Sequence, residues 1–176
     1  MSKIWFTADQ HFNHTNIIKY CNRPFEDVAR MNETLIANWN ARVQLGDDVY
    51  VLGDFVFGGN FEDIVSKLNG EIGLVLGDHD RPARRIENKV HILGKLYEFR
   101  SDRGISITLC HYALRVWPKS HYNSWCLYGH SHGRLAPEGK SFDIGVDVDG
   151  RYAPYSFADI EKIMEVRPDN FNLVRR

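Results

Sequence analysis

The chain has 176 residues, 43% hydrophobic and 12% aromatic, a composition that excludes a disordered polymer and predicts one domain, residues 1–176, with a sizeable core. Its formal net charge of -1 gives no basic footprint for long nucleic acid, and a small phosphate-bearing partner is the class left open. Three cysteines, Cys21, Cys110 and Cys126, without C-x-x-C spacing argue against a disulfide framework and against a thiolate zinc site.

Met1-Ser2-Lys3 leads straight into a strand-like run, and no apolar stretch approaches the roughly 20 residues that span a bilayer. A reduced, cytoplasmic setting with no membrane partner is therefore expected. Lys3–Ala8 is short, aromatic and β-branched, and predicts a first strand. It ends at Asp9-Gln10-His11. If that segment stays extended, Asp9 and His11 share a face and offer one carboxylate and one imidazole to a metal. An N-cap aspartate followed by a loop histidine is the bland alternative.

Residues 17–20 predict a short helix, closed by Asn22-Arg23-Pro24-Phe25. From Asp27 to Val43, Met31, Leu35, Trp39 and Val43 recur every fourth residue and predict a longer helix with one apolar stripe. Residues 49–52 predict a buried strand that runs into Gly53-Asp54. Residues 60–68 predict a helix ended by Asn69-Gly70, and 72–76 a third buried strand that delivers Gly77-Asp78-His79-Asp80. A polar, helix-compatible stretch runs from Arg81-Pro82 to Asn88. Alternation of strands and helices predicts a layered α/β fold with its ligand crevice at the carboxyl ends of the strands.

The second half reads differently. Runs at 90–93, 96–100, 105–110, 125–128 and 142–146 predict five short strands, a meander making a second sheet, with one helix at 156–165. Residues 105–110 run into His111. Residues 125–128 run into Gly129-His130-Ser131-His132-Gly133, whose two imidazoles two apart can face one point. Cys110 and Cys126 sit inside these apolar runs and read as small core residues.

Each strand end has a bland reading as turn or loop, but five ending in metal-liganding residues form a joint pattern. The donors are oxygen and nitrogen, with no sulfur, which suits Mn, Fe, Zn, Ni or Mg. Seven ligands, Asp9, His11, Asp54, Asp78, His111, His130 and His132, suit two ions sharing a bridging carboxylate. Such a pair, roughly 3.5–4 Å apart, activates water and clamps an in-line displacement at phosphorus.

The order D-x-H, G-D, G-D-H-D, H and G-H-x-H resembles the calcineurin-like metallophosphoesterase superfamily, in a small single-domain form, over about residues 4–145. The resemblance implies a four-layer αββα sandwich of two mixed sheets, within the α/β (α+β layered) class. It implies two divalent ions, manganese first among the candidates, and hydrolysis of phosphodiesters or small phosphomonoesters by a metal-bridging hydroxide. Asp9, His11, Asp54 and His132 would hold the first ion. Asp54 would bridge to the second, held by Asp78, His111 and His130. His79 would be the general acid, and Asp80 would orient its imidazole.

The family pattern has Asn where this chain has Asp78. Two divalent ions against Asp9, Asp54 and hydroxide leave a positive surplus for a phosphate, which the Asp78 carboxylate cancels while removing an amide donor. A catalytically weak or inactive scaffold on the same fold is accordingly the alternative. His14, Asn16, Arg23, Arg81 and Arg115 are candidate substrate contacts, although the arginines read at least as well as solvated surface. Trp117 and Tyr122 are candidates for an aromatic wall against a nucleobase.

Overall fold

A computed structural model describes residues 3–80 and 90–174. The strands are β1 (Ile4–Thr7), β2 (Asp48–Leu52), β3 (Glu71–Val75), β4 (Val90–Gly94), β5 (Leu96–Arg100), β6 (Ser106–Cys110), β7 (Trp125–Tyr128), β8 (Ser141–Asp143) and β9 (Tyr155–Ser156). The helices are α1 (Thr15–Tyr20), α2 (Val28–Arg42), α3 (Phe61–Val65) and α4 (Phe157–Val166), with a 3-10 turn at Ser120–Tyr122.

Local chemistry sets the helix starts. Asp27 caps α2 by accepting from the Arg30 N–H, and Asn60 caps α3 by accepting from Glu62 and Asp63. Ser156 and Asp159 exchange a reciprocal capping box at the start of α4. The Met31, Leu35 and Trp39 stripe of α2 is buried, as its spacing requires.

One sheet has the order β4-β3-β2-β1-β9, the other β5-β6-β7-β8. Alternation along each strand separates two cores. Trp5, Val49, Val51, Ile72 and Leu74 pack with α2 and α3 on one side. Phe6, Leu52 and Val75 pack with Ile107, Leu109 and Leu127 of the second sheet.

The four-layer αββα sandwich does not form. Ile160 and Met164 of α4 belong to the core between the sheets, so α4 closes the side of that core and is no outer layer. Tyr128 and Ser141 lie outside the inter-sheet core and line an open pocket together with Ala113, Leu114, Leu135 and Ala136. Among the described residues, loops and no α-helix cover that outer face. A face covered by side chains from loops needs no amphipathic helix, and the segments between β6, β7 and β8 are long enough to supply the cover.

Nor is the second half a meander. β4 pairs in parallel with β3 in the first sheet, and β6, β7 and β8 pair in parallel with one another. Parallel pairing dominates, with β1/β9 and β5/β6 as the antiparallel pairs among the described residues. The connections 111–124 and 129–140 supply the crossover of about a dozen residues that parallel neighbours need. No helix among the described residues is long and apolar enough to cross a membrane.

Candidate metal centre

The carboxyl ends of β1, β2, β3, β6 and β7 converge, and the five motifs arrive together. Their backbone is not extended. Asp9, His11, Asp54, His130 and His132 all have φ between 49° and 65°, the left-handed region that non-glycine residues seldom occupy. Backbone hydrogen bonds from Asp9 N to Gly53 O at 3.1 Å and from His11 N to Asp54 O at 2.9 Å hold the first two motifs together. Asp9 and His11 are therefore brought close by left-handed turns and not by a shared face of an extended strand.

Ligand atoms of Asp9, His11 and His132 lie within 4.8 Å of one another, as do those of Asp54, His111 and His130. The two histidines of the H-x-H motif thus serve different groups and do not face one point. Asp54 Oδ2 joins the groups, lying 3.5 Å from both His11 Nε2 and His111 Nε2.

Glycines permit this crowding. A Cβ on Gly129 would sit 2.7 Å from Asp9 Oδ2, and one on Gly77 would sit 2.6 Å from Asp54 N.

Second partners fix which nitrogen each imidazole presents. His111 Nδ1 lies 2.8 Å from Leu52 O, and His132 Nδ1 lies 2.7 Å from Asp147 Oδ2. Donation through Nδ1 makes Nε2 the nitrogen open to a metal that displaces its proton, the usual arrangement behind metal-bound histidine. Asp147 went unread in the sequence. Its signal is an apolar run, Ile144-Gly145-Val146, that ends directly at an aspartate.

The electrostatics are those of a buried charge cluster. Burial lifts the Asp9 carboxyl to about 7, against the pull of His132 and His111. Burial drops His11 to about 3. Burial also opposes charge on His111 and His132, yet their acidic neighbours prevail and raise them to about 9 and about 10. Asp54 is held well below the usual carboxylate range, because hydrogen bonding to His111 and the nearby imidazoles outweigh its burial. Asp9 Oδ1, His11 Nε2 and His111 Nε2 are buried and have no hydrogen-bond partner. Unpaired buried polar atoms are costly, and three pointing into one cluster fit divalent ions as the missing partners.

Other expected roles change. Asp78 is half exposed and belongs to neither ligand group; it lies 3.8 Å from His130 Nδ1 and accepts a hydrogen bond from Tyr112. Hydrogen bonding to Asp78 pushes the Tyr112 hydroxyl up to about 12. Asp80 does not orient His79. Its two oxygens accept from the N–H groups of Asp54 at 2.8 Å, Phe55 at 2.9 Å and Gly77 at 2.7 Å, which braces two strand ends. Burial nevertheless keeps its carboxyl above the usual value. His79 is instead placed by its own backbone, which donates to Asp54 Oδ1 at 3.0 Å, with Nε2 3.9 Å from Asp54 Oδ2.

An open cleft of about 480 Å³ leads to the cluster, and His14 and Asn16 line it. Arg23 does not reach it. Its buried guanidinium donates to both Asp147 oxygens at 2.8 Å and to the carbonyls of Gln10 and Asp9. Arg115 lies with Leu114 and Tyr128 over the outer face of the second sheet, apart from the cleft. Arg81 lies outside the described residues, as does the stretch to Asn88. Trp117 is buried and donates to Ser124 O at 3.1 Å, while Tyr122 rests on His121, so neither walls the cleft. Arg134, Tyr20 and Phe57 line it unforeseen.

No family model matches the chain. The uncharacterized protein MJ1445 of Methanocaldococcus jannaschii is 36% identical over 180 residues, spanning 94% of this chain and 93% of that protein. The gene 66 protein of Mycobacterium phage D29 is 34% identical over 89 residues, 47% of this chain and 42% of its own. The crystal structure of AQ665, a protein of unknown function from Aquifex aeolicus, superposes with a TM-score of 0.71 over 93% of this chain and 100% of that one. At 22% identity that likeness concerns the fold alone.

Proposed function

We propose that this chain, which belongs to the same family as the archaeal protein MJ1445, is a dinuclear metal-dependent phosphoesterase acting on phosphodiesters or small phosphomonoesters. The observation that carries the reading is the set of unpartnered buried atoms, Asp9 Oδ1, His11 Nε2 and His111 Nε2, gathered around Asp54. Asp9, His11 and His132 would hold one ion and Asp54, His111 and His130 the other, with Asp54 between them. Manganese is the first candidate, with Fe, Zn, Ni or Mg as the others. When bound, two such ions supply Lewis acidity at phosphorus and a water acidic enough to act near neutral pH.

The chain's own groups do the rest. His79 stands at the cleft beside Asp54 and can deliver a proton to the leaving oxygen. Asp78 stands at the rim, where its carboxylate accepts a hydrogen bond from the Tyr112 hydroxyl. The three free thiols suit a reducing, cytoplasmic compartment.

The test is a screen of bis-4-nitrophenyl phosphate and 4-nitrophenyl phosphate with Mn, Ni, Mg and Zn, alongside His79→Ala. Metal-dependent turnover that falls about 100-fold or more in His79→Ala is expected. No turnover of either ester with any metal overturns the proposal, and turnover unchanged in His79→Ala removes the role given to that residue.

A further inference from the structure

We infer that the cleft is built for a phosphodiester carrying a nucleoside, with the base lying on an aromatic shelf made by Phe57, His14 and Tyr20 and with Arg134 drawing in the anion. The inference rests on the phosphoesterase reading and adds the substrate class.

The shelf is continuous. The Phe57 and His14 rings stack with centroids 3.9 Å apart and planes 15° apart. Tyr20 meets His14 edge-on at 6.2 Å, and Phe57 meets His79 edge-on at 5.0 Å. The shelf therefore begins at the residue that would protonate the leaving group and runs outward along the cleft. Phe57 is 39% exposed and Tyr20 62% exposed. Isolated exposed aromatics are ordinary on a protein surface, but a joined row of them lining the approach to buried ligands is a binding surface.

The chemistry of that surface selects the ligand. A flat π face binds a planar ring, and base-on-aromatic stacking tolerates any base. Among the described residues lining the cleft, Arg134 carries the fixed positive charge. It is exposed, and its guanidinium is tied to the carbonyl of Tyr20, so it spans from the loop after β7 to the end of α1. An arginine at the mouth favours an anion entering a cleft whose inner rim carries Asp78. A volume of about 480 Å³ is in the range of small-ligand sites and admits a nucleoside phosphate.

Two esters with the same leaving group make the test. Thymidine 5′-(4-nitrophenyl phosphate) and methyl 4-nitrophenyl phosphate differ in whether a nucleoside is present. With the manganese-loaded full chain, the KM of the thymidine ester is expected to be about tenfold lower, the scale of one stacked base. Phe57→Ala and Phe57→Leu should bring the KM ratio to about one, whereas Phe57→Trp should keep it. The leucine variant guards against loss of fold, because it retains apolar bulk without a π face. Arg134→Ala should raise KM for both esters alike and flatten its dependence on salt. Equal KM values for the two esters in the unsubstituted protein, or a ratio that survives both Phe57→Ala and Phe57→Leu, overturns the inference while leaving the phosphoesterase reading in place. An unaltered salt dependence in Arg134→Ala removes the arginine from it. Failure of both esters to turn over with any metal overturns the underlying reading itself.

Discussion

His132 Nδ1 lies 2.7 Å from Asp147 Oδ2, and the same carboxylate is clasped by two nitrogens of the buried Arg23. An imidazole of the candidate metal cluster is thus anchored through a carboxylate to a cation in the core. Removing the middle member strands the other two. Asp147→Ala is expected to lower metal affinity about 10- to 100-fold, read by titration with Mn²⁺. It should also cost about 3–5 kcal/mol of stability, because Arg23 stays buried without its partner. Unchanged manganese affinity would show that the anchor is irrelevant to the ligand.

Metal removal gives a second expectation. Chelation leaves Asp9 Oδ1, His11 Nε2 and His111 Nε2 unpaired. Adding Mn²⁺ at 100 times its Kd should stabilise the protein by about 2.7 kcal/mol, seen as a rise in Tm. His111→Ala should abolish most of that rise. His79→Ala should keep it, although His79 shares a possible ligand group with His11 and Asp54. Loss of the rise in His79→Ala would make that residue a ligand and not an acid.

Asp78 at the rim yields a third. Asp78→Asn removes a negative charge beside His130 and introduces an amide donor, so kcat should rise with metal affinity little changed. Tyr112→Phe should act in the opposite sense, because it frees the full charge of Asp78. An unchanged or lower kcat in Asp78→Asn is the result that defeats the argument.

Far from the cleft, Asp47 supports a pH prediction. Burial pushes its carboxyl up, but hydrogen bonds from Gln44 N, Lys3 N and Trp5 Nε1 outweigh burial and hold it below the usual value. A depressed folded pKa means that the stabilisation is complete above the unfolded value of about 3.9 and is lost as pH falls through the folded one. Asp47→Asn should therefore be about 1–3 kcal/mol less stable than the parent near pH 7, with the gap closing below about pH 4. Denaturant titrations from pH 3 to 7 read it directly. A gap independent of pH would rule out the ionised carboxylate as the source.

Much of the clustering at the candidate site was legible because its Asp and His residues follow apolar runs directly. Asp9, Asp54, His111 and His130 each sit at the end of a strand that hydrophobic composition marks. The supports were not legible for the opposite reason. Arg23 and Asp147 are distant in sequence, and nothing local pairs them. The resemblance implies that Asp80 orients His79, yet its carboxylate turns back to backbone N–H groups. Pairing direction was equally hidden. Alternation in Ile107, Leu109 and Leu127 marks a buried face but is the same for parallel and antiparallel neighbours, so the crossovers between β6, β7 and β8 had no signature. The two-residue strand β9 is too short to show any period.

The brace made by Asp80 has a mechanical consequence. Its two oxygens grip the N–H groups of Asp54 and Phe55 on one strand end and of Gly77 on another, while His79 N holds Asp54 Oδ1. The tip that bears Asp54 and the tip that bears His79 are therefore tied to each other through backbone hydrogen bonds. A ligand that shifts the backbone at His79 pulls on Asp54 through that hydrogen bond, so a displacement of one strand tip is passed to the other.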